Sequence, residues 1–238
     1  MNYRVYIISN ERPQAVQKMQ ALLGDIKPTW VVGKGAEKLY RAMGAERVIE
    51  GGNLMNSRNA ALENAFSLKT TCVQLSDDLK GLKRAVDKKQ TAELTVEQAI
   101  RLMISELESK DLYLAGVAPT ANPYFYNPDK RVRTDKFIVG DFIVVRPNEQ
   151  RFDTNMTLKE DYDFTMQHIV AHGGVVRYDA ILAEFAHRTN SGGAVSYRTP
   201  NKEQFNIDYL KEKWPGAIVD NPKRPNEILL KPEKYQHG

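Results

Sequence analysis

The sequence predicts an α/β fold, one domain built on a mostly parallel sheet. Three observations carry this. Strand-like apolar runs alternate with helix-like segments through the first half of the chain, an order that favours parallel strands joined by helical crossovers. Apolar residues make up 42% of the 238 residues, enough for a substantial core. No internal repeat and no abrupt change in composition divides the chain, which favours one domain over two.

The elements follow in order. Residues 3–8 read as the first strand, and Ser9-Asn10-Glu11-Arg12-Pro13 as a loop leading into a helix with proline near its start. That helix runs to about Leu23. Residues 29–32 form a second strand, ended by Gly33-Lys34-Gly35, and 36–43 a helix closed by Gly44. Residues 47–49 form a third strand, 56–68 a helix, and 71–75 the strand before Ser76-Asp77-Asp78. The polar, basic stretch 83–94 reads as a loop. Val96, Ala99, Ile100, Met103, Ile104 and Leu107 fall at i, i+3, i+4 spacing and define an amphipathic helix. Residues 111–116 resemble a strand, and 119–128, rich in proline and aromatics, are irregular. Residues 136–146 read as a long strand or hairpin interrupted at Gly140-Asp141, 161–172 as a helix and 175–178 as a strand. The tail from Trp214 carries one apolar run, Ile228-Leu229-Leu230.

Composition narrows the function classes. No apolar run is long enough to span a bilayer, so no membrane partner is expected. The N-terminus enters a strand pattern without an apolar leader. The single Cys72 cannot form an internal disulfide, and a reducing cytoplasm is the expected compartment. No Cys/His cluster indicates structural zinc. The formal charge of +4 is a mild bias, but basic residues gather at Lys83, Arg84, Lys88 and Lys89, and again at Lys130, Arg131, Arg133 and Lys136. Such clusters either neutralise phosphates or form a solvated face.

Four segments carry candidate chemistry. Ser9, Asn10 and Arg12 follow the first strand, where a base or ribose can hydrogen-bond. Arg58 and Asn59 lie on the helix ahead of the acidic loop. They read either as an exposed Arg with an Asn cap or as charge complementing bound phosphate. Ser76-Asp77-Asp78 reads either as a capped turn or as carboxylates that a divalent cation and a nucleotide diphosphate would relieve. Glu160 and Asp161 open a helix, where acidic residues serve as capping or as a carboxylate held ready to take a proton. Farther on, His187 precedes a polar, glycine-rich segment and reads either as structural or as a metal ligand.

Taken in order, these parts resemble the GT-A glycosyltransferases. The stretches Val5 to Pro13, Ser57-Arg58-Asn59-Ala60-Ala61-Leu62, Val73 to Leu79, Glu160-Asp161-Tyr162-Asp163-Phe164 and His187 to Gly193 look more narrowly like the TET-associated DNA glycosyltransferases of bacteriophages. The resemblance implies a GT-A-like domain over 1–238, with a nucleotide-sugar half over 1–115 and an acceptor and catalytic half over 116–238. It implies a UDP-sugar donor of the UDP-glucose or UDP-arabinose class, Mn²⁺ or Mg²⁺, and DNA carrying a hydroxymethylated pyrimidine such as 5-hydroxymethylcytosine. The compartment it implies is the cytoplasm of an infected bacterial host.

Residue by residue, it implies donor contacts at Ser9, Asn10, Arg12, Arg58, Asn59, Ser76 and Asp77, metal ligands at Asp78 and His187, and the base at Asp161 beside Glu160. The usual acidic motif is Asp-x-Asp. Here Ser76 takes the first position, which weakens the expected ribose contact and puts the metal on Asp78. The implied reaction is inverting transfer, with Asp161 deprotonating a hydroxymethyl group on a base flipped out of the helix. Tyr124, Phe125 and Tyr126 are either stacking residues for that base or part of the core or a lid. Two other readings stand beside this one: a nucleotide-sugar enzyme with a non-DNA acceptor, and a non-catalytic nucleotide- or DNA-binding module.

Overall fold

Apolar runs with few polar interruptions suit strands covered on both faces, and the first half of the chain is built that way. The computed structural model describes residues 2–186, 199–224 and 227–235. β1 (Tyr3–Ile8), α1 (Ala15–Leu23), β2 (Thr29–Val32), α2 (Glu37–Ala42), β3 (Arg47–Glu50), α3 (Leu54–Ser67) and β4 (Thr71–Ser76) follow the expected alternation. These four strands are mutually parallel, with Ile8 level with both Val31 and Ser76.

After β4 the chain departs from expectation in two places. Residues 83–94 are not a loop: β5 (Leu79–Ala85) and β6 (Thr91–Glu93) form a hairpin. α4 (Val96–Lys110) then opens with a reciprocal Thr95–Gln98 cap and leads to β7 (Leu114–Val117). After two short 3₁₀ turns and β8 (Val132–Arg133), only β9 (Phe142–Val145) of the expected 136–146 strand is extended in the sheet. The residues before β9 leave the sheet for α5 (Glu160–His172). The Ile138 N–H reaches Thr165 Oγ1 at 3.2 Å and the Gly140 N–H reaches Asp161 Oδ2 at 3.2 Å. β10 (Val176–Tyr178) and β11 (Ile181–Phe185) follow. α6 (Pro200–Lys213) starts at a Thr199 cap with proline in its first turn, and β12 (Ile218–Asp220) and β13 (Ile228–Leu230) close the chain as a hairpin.

The central sheet has eight strands in the order β3-β2-β1-β4-β9-β7-β10-β8. It is mixed rather than mostly parallel, because β9 runs against both β4 and β7, and β8 runs against β10. β5 is the centre of a second sheet, β11-β5-β6. Alternate residues of the strands feed two cores. Val5, Ile7, Val73 and Leu75 pack with α1 and α4 on one face. Tyr6, Cys72, Ile143 and Val145 pack with α3, α5 and α6 on the other. Among the described residues, no helix is long and apolar enough to cross a membrane.

Candidate active site

The strand order reverses between β1 and β4, with β2 and β3 continuing on one side and β9 on the other. Such a switch point leaves a crevice beyond the carboxyl ends of the strands. A cleft of about 860 Å³ opens there. Its walls are the loop after β1, the start of α3, Ser76-Asp77-Asp78 after β4, residues 139–141, and residues 156–162 at the start of α5.

The β4 corner divides its two carboxylates. Asp77 is buried and bound on both oxygens: Ser9 Oγ–H donates to Oδ2 at 2.5 Å and Arg12 Nη1 donates to Oδ1 at 2.8 Å. Burial pushes its pKa up, while the Ser9 hydrogen bond and the Arg12 charge pull it down. Asp77 therefore ties the β1 loop to the β4 loop. Asp78 accepts from Ser76 Oγ at 2.8 Å and lines the cleft. The serine in the first position of the motif thus orients the last carboxylate.

The α5 corner divides its pair in the same way. Glu160 meets Arg58 Nε at 3.1 Å, and the same guanidinium donates from Nη1 to the Gly140 carbonyl at 2.8 Å. Arg58 is only 6% exposed, lies 5.2 Å over the Phe152 ring, and is backed by Gln74, whose Nε2 donates to the Arg58 carbonyl at 2.9 Å. A Cβ at Gly140 would sit 2.6 Å from Arg58 Nη2, so a larger residue here would have to displace the guanidinium. Asp161 stands on the cleft wall and accepts the Gly140 N–H at Oδ2 and the Tyr162 N–H at Oδ1. Desolvation, then the neighbouring Glu160 charge, pushes its pKa up to about 7, with Arg58 opposing. A carboxylate poised near neutral pH is suited to taking a proton.

The fold therefore gathers Ser9, Asn10, Arg12, Arg58, Ser76, Asp77, Asp78, Glu160 and Asp161 around one cleft. Two candidates stand apart. Asn59 faces the other way and pairs with the Phe152 backbone as a strand would, its Nδ2 on the carbonyl and its Oδ1 on the N–H, both at 2.8 Å. It fastens the segment before α5 to α3 and does not line the cleft. His187 lies outside the described residues. Arg58 lines the cleft, and its guanidinium is engaged by Glu160, the Gly140 carbonyl and Gln74.

Sequence reasoning missed four contributors. Tyr40, from α2, reaches Ser9 with its hydroxyl at 2.6 Å. Asp141 lines the cleft and adds to the charge that raises Asp161; the Gly140-Asp141 break in an apolar run was its signal. Lys159, in the left-handed conformation at φ 59°, lines the rim and pairs with Glu203 of α6 at 3.0 Å. Asn206 of α6 holds the adjacent rim by accepting the Thr157 and Leu158 amides at 3.0 and 3.3 Å.

Among the described residues, no group of three His, Cys, Asp or Glu side chains is placed to hold a metal by itself. The described cleft walls nevertheless carry five acidic side chains (Asp77, Asp78, Asp141, Glu160, Asp161) against three basic ones (Arg12, Arg58, Lys159). That excess suits a hard cation shared with a phosphate ligand, since Mg²⁺ commonly takes one or two carboxylates and completes its shell with phosphate oxygens and water. No protein-family model matches this chain, and no curated protein is significantly similar to it.

Proposed function

We propose that this protein is a GT-A-like glycosyltransferase that moves a sugar from a UDP-sugar to the hydroxymethyl group of a modified pyrimidine in DNA. One observation carries the reading: a switch-point cleft sets the Asp77-Asp78 corner across from Asp161, whose pKa is pushed up to about 7. Ser9, Asn10 and Arg12 line the side where a nucleotide fits an open α/β sheet. Asp78 is the carboxylate suited to Mn²⁺ or Mg²⁺, with His187 as the second ligand that the sequence resemblance implies. Such an ion, when bound, offsets charge on the departing diphosphate.

Asp161 takes the proton of the acceptor hydroxymethyl group as its oxygen attacks the anomeric carbon. The bond from that carbon to the diphosphate oxygen breaks, UDP leaves with the bonding pair, and a glycosidic bond remains with inverted configuration. Arg58 and Glu160 hold the start of α5 in place for that transfer. The DNA acceptor is supported by Tyr124 and Phe125, 67% and 70% exposed and packed edge to face at 5.5 Å, beside the exposed Lys130 and Arg131. Exposed rings stack on unpaired bases and basic neighbours meet phosphates. Lys83, Lys88 and Lys89 add a second exposed basic strip on the β5–β6 hairpin.

The test mixes the protein with UDP-sugars, Mn²⁺ and DNA containing 5-hydroxymethylcytosine, then digests the DNA to nucleosides for mass spectrometry. A glycosylated nucleoside is the expected product. Transfer to a small acceptor with none to DNA would replace the acceptor in this reading. Absence of transfer and of nucleotide binding would reject it.

A further inference from the structure

The Tyr40 side chain is fully buried and does not line the cleft, yet its hydroxyl joins two residues of the donor wall. Its hydrogen bonds have one possible direction. The Arg12 N–H can only donate, so at 3.0 Å the Tyr40 oxygen accepts. Ser9 Oγ lies 2.6 Å away, and because its single proton goes to Asp77 Oδ2, the Tyr40 hydroxyl is the donor between them. Arg12 Nη1 closes the circuit on Asp77 Oδ1. Residue 12 thus stands at both ends of a ring, as backbone donor and as side-chain cation, with Asp77 as the terminal acceptor. Inside the ring Glu11 is held at φ 57°, a conformation that residues other than glycine seldom adopt.

We infer that Tyr40 is a positioning residue for the donor site, fixing the β1 loop so that Asp77 and Arg12 form one rigid wall. The inference rests on the donor-site reading above. Tyr40 touches no reacting atom and acts only through Ser9 and Arg12. Removing its oxygen takes the acceptor from the Arg12 N–H and the donor from Ser9, both in buried surroundings where an unmade bond is costly. The loop would then be ordered only when the nucleotide binds, and the loss would fall on donor affinity.

The experiment titrates UDP with Mn²⁺ into wild-type protein and the Tyr40→Phe, Ser9→Ala and double variants by calorimetry, and measures turnover against donor concentration. Tyr40→Phe is expected to weaken UDP binding on the order of tenfold and to raise donor KM by a similar factor, with kcat little changed. Because both hydroxyls belong to one ring, the double variant should lose no more than the worse single variant. Wild-type UDP affinity in folded Tyr40→Phe, or losses that add in the double variant, would overturn the inference. Should Tyr40→Phe fail to fold, Ser9→Ala carries the same test, and unchanged affinity there overturns it equally. Wild-type protein that binds no UDP overturns the donor-site reading and this inference together, a result distinguished by the wild type alone.

Discussion

Asp77-Asp78 and Glu160-Asp161 each pair one carboxylate with an arginine, yet the two corners surround the second carboxylate differently. At the β4 corner Arg12 holds Asp77, and Asp78 accepts a hydroxyl from its own loop. At the α5 corner Arg58 holds Glu160, and Asp161 accepts two backbone amides while facing the charges of Glu160 and Asp141. The first arrangement suits holding a cation. The second raises the cost of ionisation and suits exchanging a proton. Like pairs thus acquire unlike chemistry from the donors and charges around them.

The largest expected effects test that division directly. Asp78→Ala should abolish transfer and the cation-dependent part of nucleotide binding, read by turnover and by UDP titration with and without Mn²⁺. Unchanged turnover would remove Asp78 from the ion's neighbourhood. Asp161→Asn removes the proton-accepting oxygen while keeping the side chain's shape and one of its two amide contacts, so donor affinity should stay near wild type while kcat falls on the order of 10²–10⁴. In the wild type, kcat should fall as pH drops through about 7, where the Asp161 carboxylate takes up its proton. A donor affinity that collapses in Asp161→Asn would make the two corners parts of a single binding site.

Much of this comparison was legible in the sequence, and the remainder depends on distant partners. β2 and β4 announced themselves because strands buried on both faces are largely apolar, and β1 and β3 through their short apolar centres. β5 did not, because its buried positions are Leu79, Leu82 and Ala85, a spacing of three that hides the alternation of an extended strand. The reversed sense of β9 has no local signature, since direction is fixed by where its neighbours lie. Both acidic pairs were visible, but not which member pairs with an arginine, because the arginines lie 65 and 102 residues away along the chain. Arg58 and Asn59 looked equivalent as neighbours, whereas the turn of α3 sends one to the cleft wall and the other to the Phe152 backbone. Tyr40 carried no signal, being an aromatic on a short helix.

A substitution at the deeper arginine sharpens the contrast. Arg58→Met leaves the Glu160 charge buried beside Asp161, and removing one partner of a buried pair typically costs about 3–5 kcal/mol. The loss should appear as a lowered denaturation midpoint in urea. Because Arg58 also holds the Asp161 pKa down, any residual activity should show its acid limb at higher pH than the wild type. An unmoved limb would mean that Arg58 supports α5 without tuning its carboxylate.

A smaller effect follows from the same desolvation and separates the corners in stability alone. The folded Asp161 carboxyl has its pKa raised from 3.8 to about 7, so the folded protein binds that proton more tightly than the unfolded chain does. The resulting stability is fully present below about pH 4 and is lost as the pH rises through about 7. At about 1.4 kcal/mol per pH unit, the loss is at most ~4 kcal/mol. Asn at this position carries no charge at any pH and escapes it. Wild type and Asp161→Asn should therefore keep a constant stability difference below about pH 4 and diverge toward pH 8, with the inactive variant gaining on the active protein. Urea unfolding across that range measures the divergence. A difference independent of pH would mean that Asp161 ionises as easily in the fold as in the unfolded chain, and the carboxylate would then lack the elevated basicity that sets its corner apart from that of Asp78.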